Sequence, residues 1–354
     1  FYGDMNSFLQ SSGVLFPAEA AAFETNFSPA TVYHWSFGVQ QDLGAGTVLD
    51  ATCVGSTGRH LYQRRNLNTL APGVRFQSSS QDPTTNRPLS DNFLRPYPGY
   101  TNVNYLENSG YSNYNGLQVG INRRYTAGLQ FGVSYTWSKA MGITNQDGDF
   151  LPLYRDYRTY NYGKLGYDQT HILVFNYLWS IPNASALGRH SISRAIFHNW
   201  ELAGITTFAS GTPQGINFSR TDGIDRQGGG DAPRVYVLEK PVLDRSARTF
   251  DRWFNTNAFL PPERNQFGNA PRDVFRGPGI HNWDLTILKN FPVTEATRFQ
   301  FRAEFYNVFN HTQYSAVDNS ARFDAEGRQI SARFGQVTAT RLPRQVQFAL
   351  RFEF

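Results

Sequence analysis

Gln345-Val346-Gln347-Phe348-Ala349-Leu350-Arg351-Phe352-Glu353-Phe354 closes the chain and decides its fold. Val346, Phe348, Leu350, Phe352 and Phe354 share one parity, and Gln345, Gln347, Ala349, Arg351 and Glu353 share the other. Side chains alternate between the faces of a strand, so this segment has one oily face and one wet face. A soluble sheet has no reason to stop on an exposed Phe. A strand of a transmembrane β-barrel meets lipid outside and water inside, and the pattern fits it.

The same alternation recurs upstream. Trp35, Phe37 and Val39 alternate with His34, Ser36, Gly38 and Gln40, and Leu49, Ala51 and Cys53 follow a turn at Asp42 to Gly46. Leu117, Val119 and Ile121 lead through a tight turn at Tyr125 to Gly128 into Leu129, Phe131, Val133, Tyr135 and Trp137, which predicts a β-hairpin. Leu173, Phe175, Tyr177 and Trp179 mark a strand that Pro182 stops, and Trp200, Leu202 and Phe208 mark its answer. Trp283, Leu285 and Ile287 come next, then Phe299, Phe301, Ala303 and Phe305. This predicts about nine strands, each near the ~9–11 residues that a tilted strand needs to cross a bilayer.

Loop lengths sort by end. The connections after Val39, Arg124, Ile181 and Lys289 are short or moderate, whereas those after Val54, Trp137, Phe208 and Phe305 are long and rich in Gly, Pro, Asn, Asp and Arg. Outer-membrane barrels have short periplasmic turns and long extracellular loops. The expected fold class is therefore an all-β, antiparallel transmembrane barrel, its last strand ending in the periplasm. An odd, open sheet would leave two unpaired edges in lipid, so earlier strands are expected before Phe1.

Composition agrees. The chain has 354 residues, 15% aromatics and a single cysteine, Cys53, which excludes an intrachain disulfide framework. Its longest apolar candidate, Val14 to Phe23, is interrupted by Pro17 and Glu19 and falls short of the ~18 residues that a spanning helix needs. The formal charge of +5 is spread along the chain, so nucleic acid is not an expected partner.

Several phrases carry a resemblance. They are Tyr114-Asn115-Gly116-Leu117-Gln118-Val119 with Asn122-Arg123-Arg124, Ser134-Tyr135-Thr136-Trp137-Ser138-Lys139, and Arg302-Ala303-Glu304-Phe305-Tyr306-Asn307-Val308-Phe309-Asn310-His311. Val54-Gly55-Ser56-Thr57-Gly58-Arg59-His60-Leu61, Phe334-Gly335-Gln336-Val337-Thr338 and Pro343-Arg344-Gln345-Val346-Gln347-Phe348 complete the set. In order and spacing the chain resembles the C-terminal barrel of TonB-dependent outer-membrane transporters, in particular the Oar-like type of acidobacteria. The resemblance implies the C-terminal part of a 22-stranded barrel in the outer membrane of a Gram-negative-type bacterium. Residues 31–354 are expected to form that part and residues 1–30 a remnant of an extracellular loop, with no plug domain in this chain.

The resemblance also implies partners: outer-membrane lipid, the barrel assembly machinery, the TonB complex through the missing N-terminal part, and a small ligand such as a siderophore, glycan or peptide. It implies capture by the long loops followed by TonB-driven plug movement. A passive porin-like barrel and a soluble all-β adhesin or sugar-binding module are the rival readings, and the latter requires the apolar parities to pack against another sheet.

Val346, Phe348, Leu350, Phe352 and Phe354 are similar to the signal that the assembly machinery reads, a strand added to an open sheet edge. Arg124, Arg302, Glu304 and Arg351 fall on the inward parity and are expected to line the lumen. Arg123 breaks the outward parity at a strand end, where its stem can snorkel. Trp35, Trp137, Trp179, Trp200 and Trp283 suit interfacial girdles. Tyr97, Tyr100 and Tyr105 suit sugar stacking, and Asp222, Asp225 and Asp231, or Asp147 and Asp149, suit calcium, although their spacing is not that of an EF-hand and solvated loop carboxylates are commoner. The seven histidines show no metal spacing, no nucleophile elbow or phosphate loop is present, and neither a cofactor nor an enzymatic activity is expected.

Overall fold

The computed structural model describes residues 18–26, 28–152, 157–183, 191–294 and 297–354. Nine strands lie side by side in strictly antiparallel order: β1 (Thr31–Gly44), β2 (Thr47–Asn66), β3 (Tyr100–Thr126), β4 (Leu129–Gly142), β5 (His171–Ser180), β6 (Trp200–Ala209), β7 (Ile280–Pro292), β8 (Arg298–Tyr306) and β9 (Gln345–Glu353). Every neighbour in space is a neighbour in sequence among these nine, as in an up-and-down wall.

Register places the predicted apolar residues on one face. Phe37 stands opposite Cys53, Cys53 opposite Leu117, and Leu117 opposite Trp137. Phe131, Tyr177, Gly204, Leu285, Phe305 and Val346 form another such row across β4 to β9. No second sheet among the described residues covers this face: Phe37 is 75% exposed and Leu350 is 68% exposed. Burying a side chain of this kind is worth about 1.5–3 kcal/mol, so a whole face of them left bare belongs against lipid. The sandwich reading needed a second sheet here, and among the described residues the apolar parities pack against none.

The turns are built for tight reversal. Thr126 pairs with Leu129 across Ala127 and Gly128, both at positive φ, which suits the right-handed twist of the flanking strands. On the apolar face, glycines receive aromatic rings from the next strand. A Cβ on Gly55 would meet the Trp35 ring at 2.1 Å, and one on Gly204 would meet the Tyr177 hydroxyl at 2.7 Å. Trp35, Trp137 and Trp283 lie toward the long-loop end of this face and Trp179 and Trp200 toward the short-turn end, the arrangement of two interfacial girdles.

Two cations interrupt the apolar parity near the short turns. Arg123 stands opposite Phe131 as the parity break implies. Lys289, opposite Trp200, donates its ammonium to the His198 carbonyl and lies 5.2 Å from the Trp200 ring. Cys53 lies on the apolar face. In intact cells its labelling by a charged, membrane-impermeant maleimide is expected to equal the background of Cys53→Ser; brisk labelling would contradict the lipid assignment.

The structure departs from the sequence reading at the long-loop end. The strand expected to finish near Val54 continues to Asn66, and its partner begins at Tyr100 rather than near Leu117, reaching 27 residues. Within the segment expected as a loop remnant, Ala18–Phe23 is a strand parallel to the extension of β3, with Phe23 opposite Leu106. Residues 1–17 and 27 of that segment lie outside the described residues. No helix among the described residues is long and apolar enough to cross a membrane.

The long loops themselves fold. Asn217–Arg220, in the loop after β6, pairs in parallel with Ser320–Phe323, in the loop after β8. Around this pair the two loops build the main cluster of buried apolar side chains, centred on Phe254, whose ring lies 4.4 Å from that of Phe275 and 5.1 Å from that of Phe334. Two segments that the sequence marks only as polar and Gly/Pro-rich therefore enclose an aromatic core. Each loop supplies apolar residues without a period, and they become a core only when the loops meet.

Candidate ligand site

The loops are clamped to one another by arginines. Asp168, 2% exposed, pairs with Arg276 and accepts the Ala140 N–H at 2.6 Å. Arg276 also donates to the Gly211 carbonyl at 2.8 Å and the Thr170 hydroxyl at 2.6 Å, joining the loop after β4 to the loop after β6. Arg75 bridges Asp91 and Asp225, which ties the loop after β2 to the same unit.

Between residues 143–152 with Asn161 on one loop and residues 215–272 on another there is a cavity of about 830 Å³. Its lining mixes the apolar Ile216, Phe218 and Ile224 with Arg220, Arg234 and Arg272. Arg220 is spent on Asp222 at 2.8 Å, which holds that carboxylate down at about 2, below the usual aspartate value. Arg234 and Arg272 converge on Asn161: one donates to its side-chain oxygen at 3.0 Å, the other to its carbonyl at 3.2 Å. Arg234 also stacks 3.8 Å from the centre of the Tyr160 ring. Burial pushes both guanidiniums below the ordinary arginine value. A site of this size, part apolar and with a few convergent polar groups, is the form in which small ligands are held.

The residues singled out from sequence fall in several places. Val346, Phe348, Leu350 and Phe352 take the apolar face opposite Phe305, Ala303, Phe301 and Phe299, and Phe354 is 95% exposed. Arg302, Glu304 and Arg351 share the other face, with Arg302 3.3 Å from Glu304. Arg124 lies at the first tight turn, its N–H donating to the Gly46 carbonyl at 2.9 Å.

Asp222 and Asp225 spend their carboxylates on arginines, and Asp149 accepts the Asn145 and Gln146 N–H groups at 2.9 and 3.2 Å. No group of three or more metal-ligating side chains occurs among the described residues. His281 and His311 are brought to 5.1 Å ring to ring. Tyr97 and Tyr100 are exposed, Arg65 lies over the Tyr105 ring at 5.4 Å, and none of the three tyrosines lines the cavity. The sequence reading missed Arg234, Arg272, Arg276 and Asp168, since nothing local distinguishes a clamping loop arginine from a solvated one.

A family model described as the outer membrane beta barrel domain matches residues 4–347. Among solved structures, the outer membrane transporter YddB from Escherichia coli aligns with a TM-score of 0.44 and 9% identity, over 95% of this chain and 34% of its own. The ferric-catecholate import receptor Fiu from K12 E. coli aligns with a TM-score of 0.40 and 12% identity, over 93% of this chain and 28% of its own. The FrpB iron transporter from Neisseria meningitidis aligns with a TM-score of 0.40 and 10% identity, over 95% and 32%. The chain spans about a third of the length of these structures. No curated protein matches it.

Proposed function

The chain belongs to the outer membrane beta barrel domain family, and from that premise we propose that it forms part of the wall of a TonB-dependent transporter that takes up a small ligand. The observation that carries this reading is the pairing of an exposed apolar wall with long loops that enclose a cavity at the end away from the short turns. A wall alone would serve any barrel. Loops that enclose a mixed polar and apolar cavity suit capture of a ligand before passage.

In this reading the short turns face the periplasm and the loop unit faces the exterior. Arg124, Arg302, Glu304 and Arg351 border the lumen, where they hydrate it or meet a plug. The chain's work is transport, with no bond made or broken in the ligand.

The test compares cells carrying the full-length protein in TonB-competent and TonB-deleted backgrounds, scored for depletion of small molecules from conditioned medium. Depletion in competent cells alone supports the proposal. Equal depletion in both backgrounds would move the reading to a passive porin, and depletion in neither would overturn uptake.

We also assign β9 the role of assembly signal. Its alternate apolar residues offer a strand edge with a side-chain code, ending on Phe354. Deleting Phe354 is expected to slow insertion and lower outer-membrane levels at least about threefold, as strand-edge recognition loses its terminal contact. Quantitative immunoblotting of outer-membrane fractions reads this, and normal levels would remove the assignment.

A further inference from the structure

The loop cavity holds more positive charge than its own acids neutralise. Of its two lining carboxylates, Asp225 is paired with Arg75 and Asp149 caps two backbone N–H groups. Arg220 is matched by Asp222. Among the described residues Arg234 and Arg272 contact only neutral oxygens: the carbonyls of Tyr160 and Ala270 and the Asn161 side chain for one, the carbonyls of Gly142, Ile143 and Asn161 and the Asn145 side chain for the other. The acid beside them, Asp273, is paired with Lys164 at 2.8 Å.

Arginine stays charged in proteins, so two half-buried guanidiniums meet here with no carboxylate bonded to either: Asp273 lies within electrostatic reach of both and Asp149 of Arg272, but the first bonds Lys164 and the second two backbone N–H groups. Each carries five N–H donors, and each keeps its Nε–H clear of the bonds just named. They repel one another, and burial weakens the hydration that would otherwise offset this. An anion placed between them relieves both costs, and a forked guanidinium fits a carboxylate or phosphate with two parallel bonds. Ile216, Phe218 and Ile224 line the same cavity and offer an apolar surface to whatever bears that charge.

We propose that this cavity binds an organic anion, a carboxylate or phosphate ester whose charged group sits on Arg234 and Arg272 and whose apolar body lies against Ile216, Phe218 and Ile224. This deepens the uptake reading and rests on it only for the fate of the ligand, because binding is measured without transport.

The test uses the full-length protein in lipid nanodiscs, titrated calorimetrically with 2-naphthoate, 2-naphthyl phosphate and the neutral isostere 2-naphthamide, with empty nanodiscs subtracted. At least one anion is expected to bind about tenfold or more tighter than the amide, as charge-assisted bonds exceed neutral ones. Which anion does so identifies the headgroup class. Arg272→Gln is expected to abolish the preference. Since Arg272 also anchors backbone carbonyls, Ile224→Trp serves as a second variant: Ile224 is 59% exposed, and the larger ring fills the cavity from the solvent side. It is expected to weaken anion binding about fivefold by exclusion. Equal affinity for anion and amide, no binding of any probe, or a preference that survives both variants would overturn the site. Anion binding by a protein that fails the TonB-dependent uptake test would leave the site standing and remove only the transport reading.

Discussion

Replacing Arg276 by alanine is expected to destabilise the loop unit by about 3–5 kcal/mol, because it leaves a buried carboxylate without its cation. Asp168 is 2% exposed, so hydration offsets little of the loss. Its other carboxylate oxygen already accepts the Ala140 N–H. The change also orphans the Gly211 carbonyl and the Thr170 hydroxyl, so the loops after β4 and β6 lose their joint. Hydrogen exchange in residues 143–170 and 210–279 is the readout, and it should accelerate together in both loops while β5 and β6 stay protected. Removing both partners, as Asp168→Leu with Arg276→Met, should recover much of the loss, since replacing a buried pair by apolar groups is often near neutral. Unchanged exchange in Arg276→Ala would show that the loops are held by their aromatic core alone.

The second large effect sets two adjacent residues against each other. Phe175 and Asn176 lie at the middle of β5, and register sends Phe175 to the apolar face opposite Val133 and Thr206, while Asn176 takes the polar face opposite Gly132 and Ile205. Arginine on the lipid face near the bilayer midplane costs about 2–4 kcal/mol, so Phe175→Arg should cut folding efficiency into bilayers and outer-membrane levels sharply. Asn176→Arg should stay within about 0.5 kcal/mol, the range of an ordinary exposed substitution. Urea titration of the full-length protein folded into lipid vesicles measures both. Equal costs would mean that the two faces do not differ in what they meet.

These two experiments also separate what was legible in the chain from what was not. The face of every wall residue follows from parity, which is a local property: a one-residue step along a strand always changes sides. Strand order was legible as well, because short turns such as Ala127-Gly128 force sequence neighbours to pair. Strand length at the loop end was less so. The ends of β2 and β3 beyond Gly58 and before Ser112 carry no apolar alternation, yet the two strands continue to pair there, by their backbones and by polar links from Gln63 and Arg65 to Glu107 and from Asn66 to Asn102, out beyond the segment where lipid demands an oily face.

The loop unit was not legible at all. Arg276 and Asp168 are 108 residues apart, and Arg234 and Arg272 are unremarkable in sequence. Phe254, Phe275 and Phe334 lie in stretches with neither the period of a strand nor that of a helix.

By itself, then, the sequence determined the wall: an antiparallel sheet with a lipid face, sorted loops and an aromatic terminal strand. It could do so because alternation and tight turns act between residues close in the chain. Only the tertiary structure decided that the loops share one aromatic core, clamp each other through Asp168 and Arg276, and enclose a cavity with two arginines bonded to no acid among the described residues. Those contacts join residues on the order of a hundred positions apart, and closing such a distance leaves no local pattern behind.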